Sequence, residues 1–345
     1  MKHYIIPFFI LHKGCPNECV FCDQKKITAR ESIKPEDIPI EIEKYLETMP
    51  RDGARIEVGF FGGTFTALAK EDQASYLDKV QKYVIDGRVH GIRLSTRPDF
   101  INEDILDFLK ARKVSCIELG VQSMSDKVLV AAKRGHTARD VEKASKMIID
   151  KGFTLGHQIM LGLPLSTEED EYFTARRAKE LGAAEVRIYP VLVIKNTELA
   201  DMWSNDQYSP LSEAEAIKRA ANLIVYFEAN DIKVIRCGLH PSEGLLSGSD
   251  LLDGPFSPTF RLKVESLIFR RMMEYLFRTV KGNLLEIVFN PQDEAAFFGF
   301  GRENLALIKK IGKYKKDEKV KRGSLRAVAK EGAVEVTRKE LVNSE

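Results

Sequence analysis

The chain has 345 residues, 44% of them apolar, with 53 Lys and Arg against 51 Asp and Glu for a net charge of +2. That composition supports a sizeable core and excludes a nucleic-acid signature for the chain taken whole; no apolar run approaches the ~18–20 residues of a membrane span. The five cysteines are odd in number, and the start MKHYIIPFFIL is too short and lacks a small-residue cleavage site, so the expectation is a soluble cytoplasmic protein in a reducing compartment, without a membrane partner.

In chain order, Tyr4–Leu11 reads as a strand and is followed at once by the cysteine-bearing run GCPNECVFC. A helix is predicted over Pro35–Met49, where Ile38, Ile42 and Leu46 recur at the helical period. Strands at Arg55–Phe60, Gly91–Ser95, Cys116–Val121, Thr154–Met160 and Glu185–Tyr189 then alternate with helices at Lys70–Asp86, Asn102–Ala111, Ala138–Lys151 and Glu168–Leu181. Ser212–Asn230 continues as a helix and Ile232–Cys237 as a short strand. Strand–helix alternation over this length means βαβ units and a parallel sheet. Gly, Ser and Pro concentrate in Gly244–Pro258, which reads as a linker or lid. Beyond it come a helix over Leu262–Phe277, a strand over Leu284–Phe289, a helical run Asn304–Ile311 and a Lys-rich tail. The expected organisation is a core domain over 1–243, a linker or lid over 244–258 and a small C-terminal α/β extension over 259–345.

Each of the six main strands ends in a small, polar or turn-forming motif. In order these are the cysteine run, Gly62-Gly63-Thr64-Phe65, Thr96-Arg97-Pro98-Asp99, Gln122-Ser123, Gly162-Leu163-Pro164 and Tyr189-Pro190. Ligands of parallel α/β folds bind at the carboxyl ends of strands, so all six motifs are expected at one mouth. A partial barrel of six βα units leaves that mouth wide enough for a large substrate.

Cys15, Cys19 and Cys22 stand in a C-x3-C-x2-C array. Structural zinc sites use four ligands, usually in two closely spaced pairs; His12 is a candidate fourth ligand, but no second cysteine pair follows. Iron–sulfur clusters are ordinarily closed by four cysteines. Three on one loop therefore hold three corners of a four-iron cluster and leave one iron open, and open coordination positions are where metal chemistry takes place. Cys116 lies within a strand and Cys237 ends one, and both read as structural. His136 orients Arg134 or caps a helix, whereas His157 and His240, near strand ends, are candidates to face a substrate, and His240-Pro241 reads equally well as a turn.

The cysteine spacing, with Phe21 just before the last cysteine, resembles the radical S-adenosylmethionine (SAM) enzymes, and the Gly62-Gly63 pair fits them. Arg97-Pro98-Asp99, Glu118–Ser123, Arg134–Thr137, Gly162–Pro164 and Tyr189–Thr197 are similar to the Elongator catalytic-subunit-like branch over about the first 240 residues. A more distant resemblance is to the oxygen-independent coproporphyrinogen oxidases. The resemblance implies a partial (βα)6 TIM-type barrel, a 4Fe-4S cluster on Cys15, Cys19 and Cys22, and SAM chelated by the open iron. It further implies reductive cleavage of SAM, hydrogen abstraction by the resulting 5′-deoxyadenosyl radical, and an external electron donor such as flavodoxin or ferredoxin. By position it places Gly62, Gly63 and Thr64 at the methionine amino group and Gln122 on SAM. It likewise places Arg134 at the methionine carboxylate, Gln158 at the ribose, and Phe21 and Tyr189 beside the adenine. No catalytic side chain is assigned beyond the cluster.

The chain departs from true Elongator subunits in a shorter first cysteine gap and in lacking the acetyltransferase half. From Arg302 onward there are 13 Lys and Arg against 7 Asp and Glu, which reads either as a grip on a phosphate backbone or as a solvated tail. Phe298–Ile308 is similar to a degenerate KH loop with Arg302 in place of the second glycine, making the tail a candidate RNA contact. Three functions remain open at this level: a radical enzyme acting on tRNA or another large molecule, one acting on a tetrapyrrole or small metabolite, and a non-catalytic Fe–S or redox-sensing protein.

Overall fold

A computed structural model describes residues 2–10, 15, 19–23, 32–50, 53–280, 284–329 and 332–342. They form two compact units, one of residues 1–210 with 239–254 and the other of 211–238 with 255–345. The expected boundary at 243 and the observed divisions at 210, 238 and 254 do not coincide.

The first unit contains strands β1 (Lys2–Phe9), β2 (Ala54–Phe61), β3 (Ile92–Thr96), β4 (Val114–Gln122), β5 (Thr154–Leu161) and β6 (Glu185–Pro190), side by side in that order. Every neighbouring pair is parallel. The crossovers carry helices α1 (Ile38–Thr48), α2 (Lys70–Ile85), α3 (Glu103–Ala111), α4 (Asp126–Ala131), α5 (Ala138–Asp150) and α6 (Glu168–Glu180). This is the α/β partial barrel that the strand–helix alternation predicts. Three of these helices, α3, α5 and α6, begin where the sequence supplies caps. Thr137 and Thr167 each accept the backbone N–H three residues on, while Asp140 and Asp170 return the bond to the cap backbone; Asn102 caps α3 through Ile105 N–H.

Alternation along the strands sorts the residues into two environments. Ile6, Val58, Ile92, Leu94, Ile117, Leu119, Ile159, Val186 and Ile188 are fully buried and form the apolar side of the sheet; Phe60 meets Tyr76 of α2 edge-on at 6.0 Å. Charged residues take the intervening positions. Arg93 of β3 donates to Glu57 of β2 at 2.6 Å, to Glu118 of β4 at 2.8 Å and to Glu185 of β6 at 2.6 Å. Arg187 of β6 donates to both oxygens of Glu118 at 2.5 and 2.9 Å, and its guanidinium lies 4.9 Å from the Phe61 ring centroid. Arg93, Glu57 and Glu118 are all at most 2% exposed. The network is affordable because every charge is paired and hydrogen-bonded. Burial works to raise the Glu118 pKa, and Arg187 outweighs it, holding the carboxyl below its ordinary range.

Of the stretch expected to be a linker, residues 244–254 belong to the first unit and 255–258 to the second. Glu243–Ser247 is a helix, and Leu251–Asp253 pairs antiparallel with Val193–Ile194. Trp203 Nε1 donates to Asp253 at 3.0 Å. Gly and Ser here serve a helix cap and a tight return: Ser242 caps the helix and Gly248 closes it at φ +75°.

The second unit holds helices Glu213–Ala229 and Phe260–Val280, the strand Lys233–Cys237 and a four-stranded sheet. That sheet runs Tyr314–Lys316, Leu284–Phe289, Leu325–Ala329, Gly332–Val336; its first pairing is parallel and the others antiparallel. The Lys-rich tail is thus folded, contributing three strands and a last helix, Arg338–Val342. Lysine-dense strands escape a hydrophobic pattern because Tyr314–Lys316 is an exposed edge. The KH-like stretch forms a tight turn with Gly299 at φ +82°, Gly301 at +62° and Arg302 at +63°, leading into helix Leu305–Ile311. Buried Asn304 fastens this turn to the carbonyl of Ser266 at 3.1 Å. No helix among the described residues is long and apolar enough to cross a membrane.

Candidate active site

The described part of the cysteine loop docks on the turn after α4. Val20 N–H donates to Ala132 O at 3.3 Å, and Leu199 N–H donates to Val20 O at 2.8 Å. Val20 and Phe21 are buried with Val128, Ala132, Leu163 and Leu199. Cys19 is buried in the same cluster, while Cys15 and Cys22 are half-buried. Cys22 N–H bonds to Cys19 O at 3.0 Å. Burial, then Cys19, with Cys15 adding to it, push the Cys22 thiol up to about 12 against an opposing pull from Arg134, so all three thiols and this guanidinium share one electrostatic neighbourhood. Among the described residues, no three His, Cys, Asp or Glu side chains converge as a single metal ion requires. A cluster spreads its thiolates over separate irons, and three free thiols, one buried and two half-buried, are a donor set that fits one. His12 lies outside the described residues.

Arg134 reaches back toward this loop. Its Nη1 is 3.2 Å from Cys19 Sγ and its Nη2 donates to Gly120 O at 2.8 Å. Gly120 is the close approach in β4: a Cβ there would stand 3.1 Å from Arg134 Nη2 and 3.2 Å from Gln122 Nε2. Just beyond, β4 gains one residue relative to β5, so that Leu119 faces His157 but Gln122 faces Ile159. This bulge re-aims the strand end. Gln122 takes φ +64°, and Ser123 N–H closes on Val121 O at 2.8 Å, a three-residue turn that is strained for a non-glycine. Gln122 Oε1 is buried and has no hydrogen-bond partner among the described residues. A buried orphan acceptor beside a half-open mouth fits a ligand that donates there.

At the end of β2, Gly62 sits at φ +92°, a conformation that favours glycine. Gly62 and Gly63 are half-buried and Thr64 is buried; the Thr64 carbonyl accepts from Ala67 N–H at 3.0 Å. At the end of β5, Gly162 is held from both sides: its N–H donates to Glu171 at 2.8 Å and its carbonyl accepts from Tyr208 Oη at 2.7 Å. Tyr189 of β6 is half-buried and pairs in register with Met160. Phe21 packs into the apolar cluster on the loop.

Gln158 lies one pleat deeper than Met160, in register with Arg187, and its Nε2 donates to Glu118 at 3.0 Å. The structure thus ties Gln158 to the charged network of the sheet. His157 belongs to the opposite face. It is buried, 3.0 Å from Ser145 of α5, and burial pushes it down to about 3, so it is a neutral core residue that does not face a substrate. His240 is exposed. His136 Nε2–H donates to Val121 O over 3.2 Å; burial, with Arg134 and Arg97 adding to it, pushes it down to about 3. Thr137, not His136, caps α5. Cys237 is buried, and burial pushes its thiol up to about 12. Cys116 is buried among charges, with Sγ 3.3 Å from Glu185.

Sequence reasoning missed the network of Glu57, Arg93, Glu118, Glu185 and Arg187. Its signal was present as one or two charges set in otherwise apolar strands: RIEVGF, IRLST, CIELGV and EVRIYP. It also gave no role to Arg97, which is buried and paired with Asp99 at 2.8 Å, or to Tyr208.

Comparison with known proteins places the chain. The radical SAM superfamily model matches residues 9–177 and the Radical_SAM C-terminal domain matches residues 183–270. A tRNA uridine(34) acetyltransferase from Methanocaldococcus jannaschii is 30% identical over 244 residues, covering 59% of this chain and 45% of that protein. Elongator complex protein 3 from Saccharomyces cerevisiae is 28% identical over 193 residues, covering 49% and 34%. The chain therefore spans less than half the length of these relatives. Among solved structures, the Methanocaldococcus infernus Elp3 with an N-terminal deletion superposes with a TM-score of 0.62 at 20% identity, covering 80% of this chain and 67% of that one, which supports the fold. The C-terminal family match starts at residue 183, within the expected core domain, and ends at 270, beyond the expected linker. With the cysteine loop, the strand-end motifs and these matches together, the chain belongs to the radical SAM superfamily and has Elongator-type relatives.

Proposed function

We propose that this chain is a radical SAM enzyme that takes a hydrogen atom from an RNA substrate and is re-reduced by a one-electron donor of the flavodoxin or ferredoxin class. When bound, the 4Fe-4S cluster supplies the electron that cleaves SAM. Cys15, Cys19 and Cys22 would hold it. Gly62, Gly63 and Thr64 would border the methionine end of SAM, Gln122 would accept a hydrogen bond from SAM through Oε1, and the apolar shell of Val20, Phe21 and Leu163 would keep water from the cysteines.

The RNA assignment rests on one observation in the second unit. Lys309, Lys310, Lys313, Lys315, Lys319 and Lys321 are exposed, and none has an ion-pair partner among the described residues. Tyr314, 48% exposed, stands among them as a ring on which a base can stack. The relatives' names, which concern tRNA uridine(34), agree with that chemistry. The test is anisotropy titration of labelled tRNA with the full chain at several salt concentrations. Binding should weaken steeply as salt rises, and changing Lys309, Lys310, Lys313 and Lys315 to Glu should reduce the slope of log K against log salt by about 1 per lysine. Binding that ignores both salt and these lysines would overturn the RNA assignment and favour a small-metabolite substrate.

A further inference from the structure

Arg134 makes a contact that neither the fold nor carboxylate recognition requires. Its Nη1 lies 3.2 Å from Cys19 Sγ, and the guanidinium is held there by the bond from Nη2 to Gly120 O. Its own backbone is fixed as well: Arg134 N–H donates to Leu129 O at 2.9 Å, and the cysteine loop is tied to the same turn through Val20 N–H and Ala132 O. Loop and guanidinium are thus parts of one local unit. The surroundings are dry. Cys19 is 6% and Arg134 7% exposed, and Cys19 shares one buried cluster with Val20, Val128 and Ala132. In such a setting a charge-assisted hydrogen bond is poorly screened.

We propose that Arg134 sets the reduction potential of the cluster through a charged N–H···S hydrogen bond to the Cys19 ligand. The inference rests on the radical SAM reading above. One electron added to a cluster adds one negative charge to its irons and sulfurs. A cation donating to a ligand sulfur stabilises that reduced form more than the oxidised form, so it raises the potential; hydrogen bonds to the sulfurs are among the levers that set it. The physical benefit is that a cellular donor reduces the cluster more readily. Acting through Cys19, Arg134 is a positioning and tuning residue for the cysteine loop.

The experiment is an EPR-monitored redox titration of the full chain, reconstituted with iron and sulfide without oxygen, in the absence of SAM. Wild type, Arg134→Lys and Arg134→Gln are compared, with iron content measured for each. Arg134→Gln should make the cluster harder to reduce, lowering the reduced-to-oxidised ratio at a fixed potential about tenfold, a downward midpoint shift of about 59 mV for a one-electron couple. Arg134→Lys keeps the charge but loses the fork and should fall between. If Arg134→Gln holds no cluster, Arg134→Met is titrated in its place. A fully loaded glutamine or methionine variant with an unshifted midpoint would overturn the inference. Failure of the wild-type chain itself to form a 4Fe-4S cluster would instead defeat the functional reading on which it rests.

Discussion

His157 and Gln122 show how one residue's placement decides its role. They stand close in sequence to neighbouring strand ends, and both look polar and available. The pleat turns His157 toward α5, where Ser145 meets it, whereas a bulge and a positive φ turn Gln122 toward the mouth. His157 carries a testable consequence. Its pKa falls from 6.5 in the unfolded chain to about 3 in the folded one. Between those values the unfolded state binds more protons, so stability rises with pH and is lost as pH falls from 6.5 toward 3. His157→Gln should flatten that loss by up to about 1.4 kcal/mol per pH unit, measured as urea midpoints between pH 4 and pH 7. An unchanged pH slope would mean that His157 is charged or solvated in the fold. Which polar strand-end residues face the mouth was not legible from spacing alone, because one inserted residue in β4 changes the orientation of everything after it.

At the scale of elements, the parallel strands and their order were legible because buried parallel strands read as short apolar runs separated by helices. The cysteine loop was legible because its chemistry is local in sequence. What the strands hold between them was not, since Arg93, Glu118 and Arg187 are isolated charges until the sheet register sets them together. Cys116 illustrates the same limit: its burial was readable, its charged neighbours were not. The edge strand Tyr314–Lys316 was missed for the opposite reason, as its residues are exposed and carry no apolar period. The network makes its own prediction. Arg93→Met leaves Glu57, Glu118 and Glu185 without their shared cation, and breaking a buried pair from one side costs about 3–5 kcal/mol. Chemical denaturation should show a loss of that size, with the cysteine loop's iron uptake reduced only in proportion to the unfolded fraction. A loss below about 1 kcal/mol would show that water already solvates these carboxylates.

At the scale of the molecule, the chain joins a radical SAM barrel to a second unit in which Lys309, Lys310, Lys313, Lys315, Lys319 and Lys321 are exposed without an ion-pair partner among the described residues. It spans less than half the length of the curated relatives named above, so the activity in their names is not carried over to it. The described residues divide the labour differently from the sequence boundaries: the Gly- and Ser-rich stretch near 250 belongs to the barrel unit, and helix Glu213–Ala229 belongs to the second. Composition marks where the backbone turns, and packing decides which unit the turn joins. The central claim concerns the three thiols and the mouth above them. Its most direct measurement is 5′-deoxyadenosine formed per chain by the anaerobically reconstituted protein, given SAM and a strong one-electron reductant. Formation that disappears on changing Cys19 to Ala is the predicted result; a chain with a full 4Fe-4S complement that forms none would contradict it.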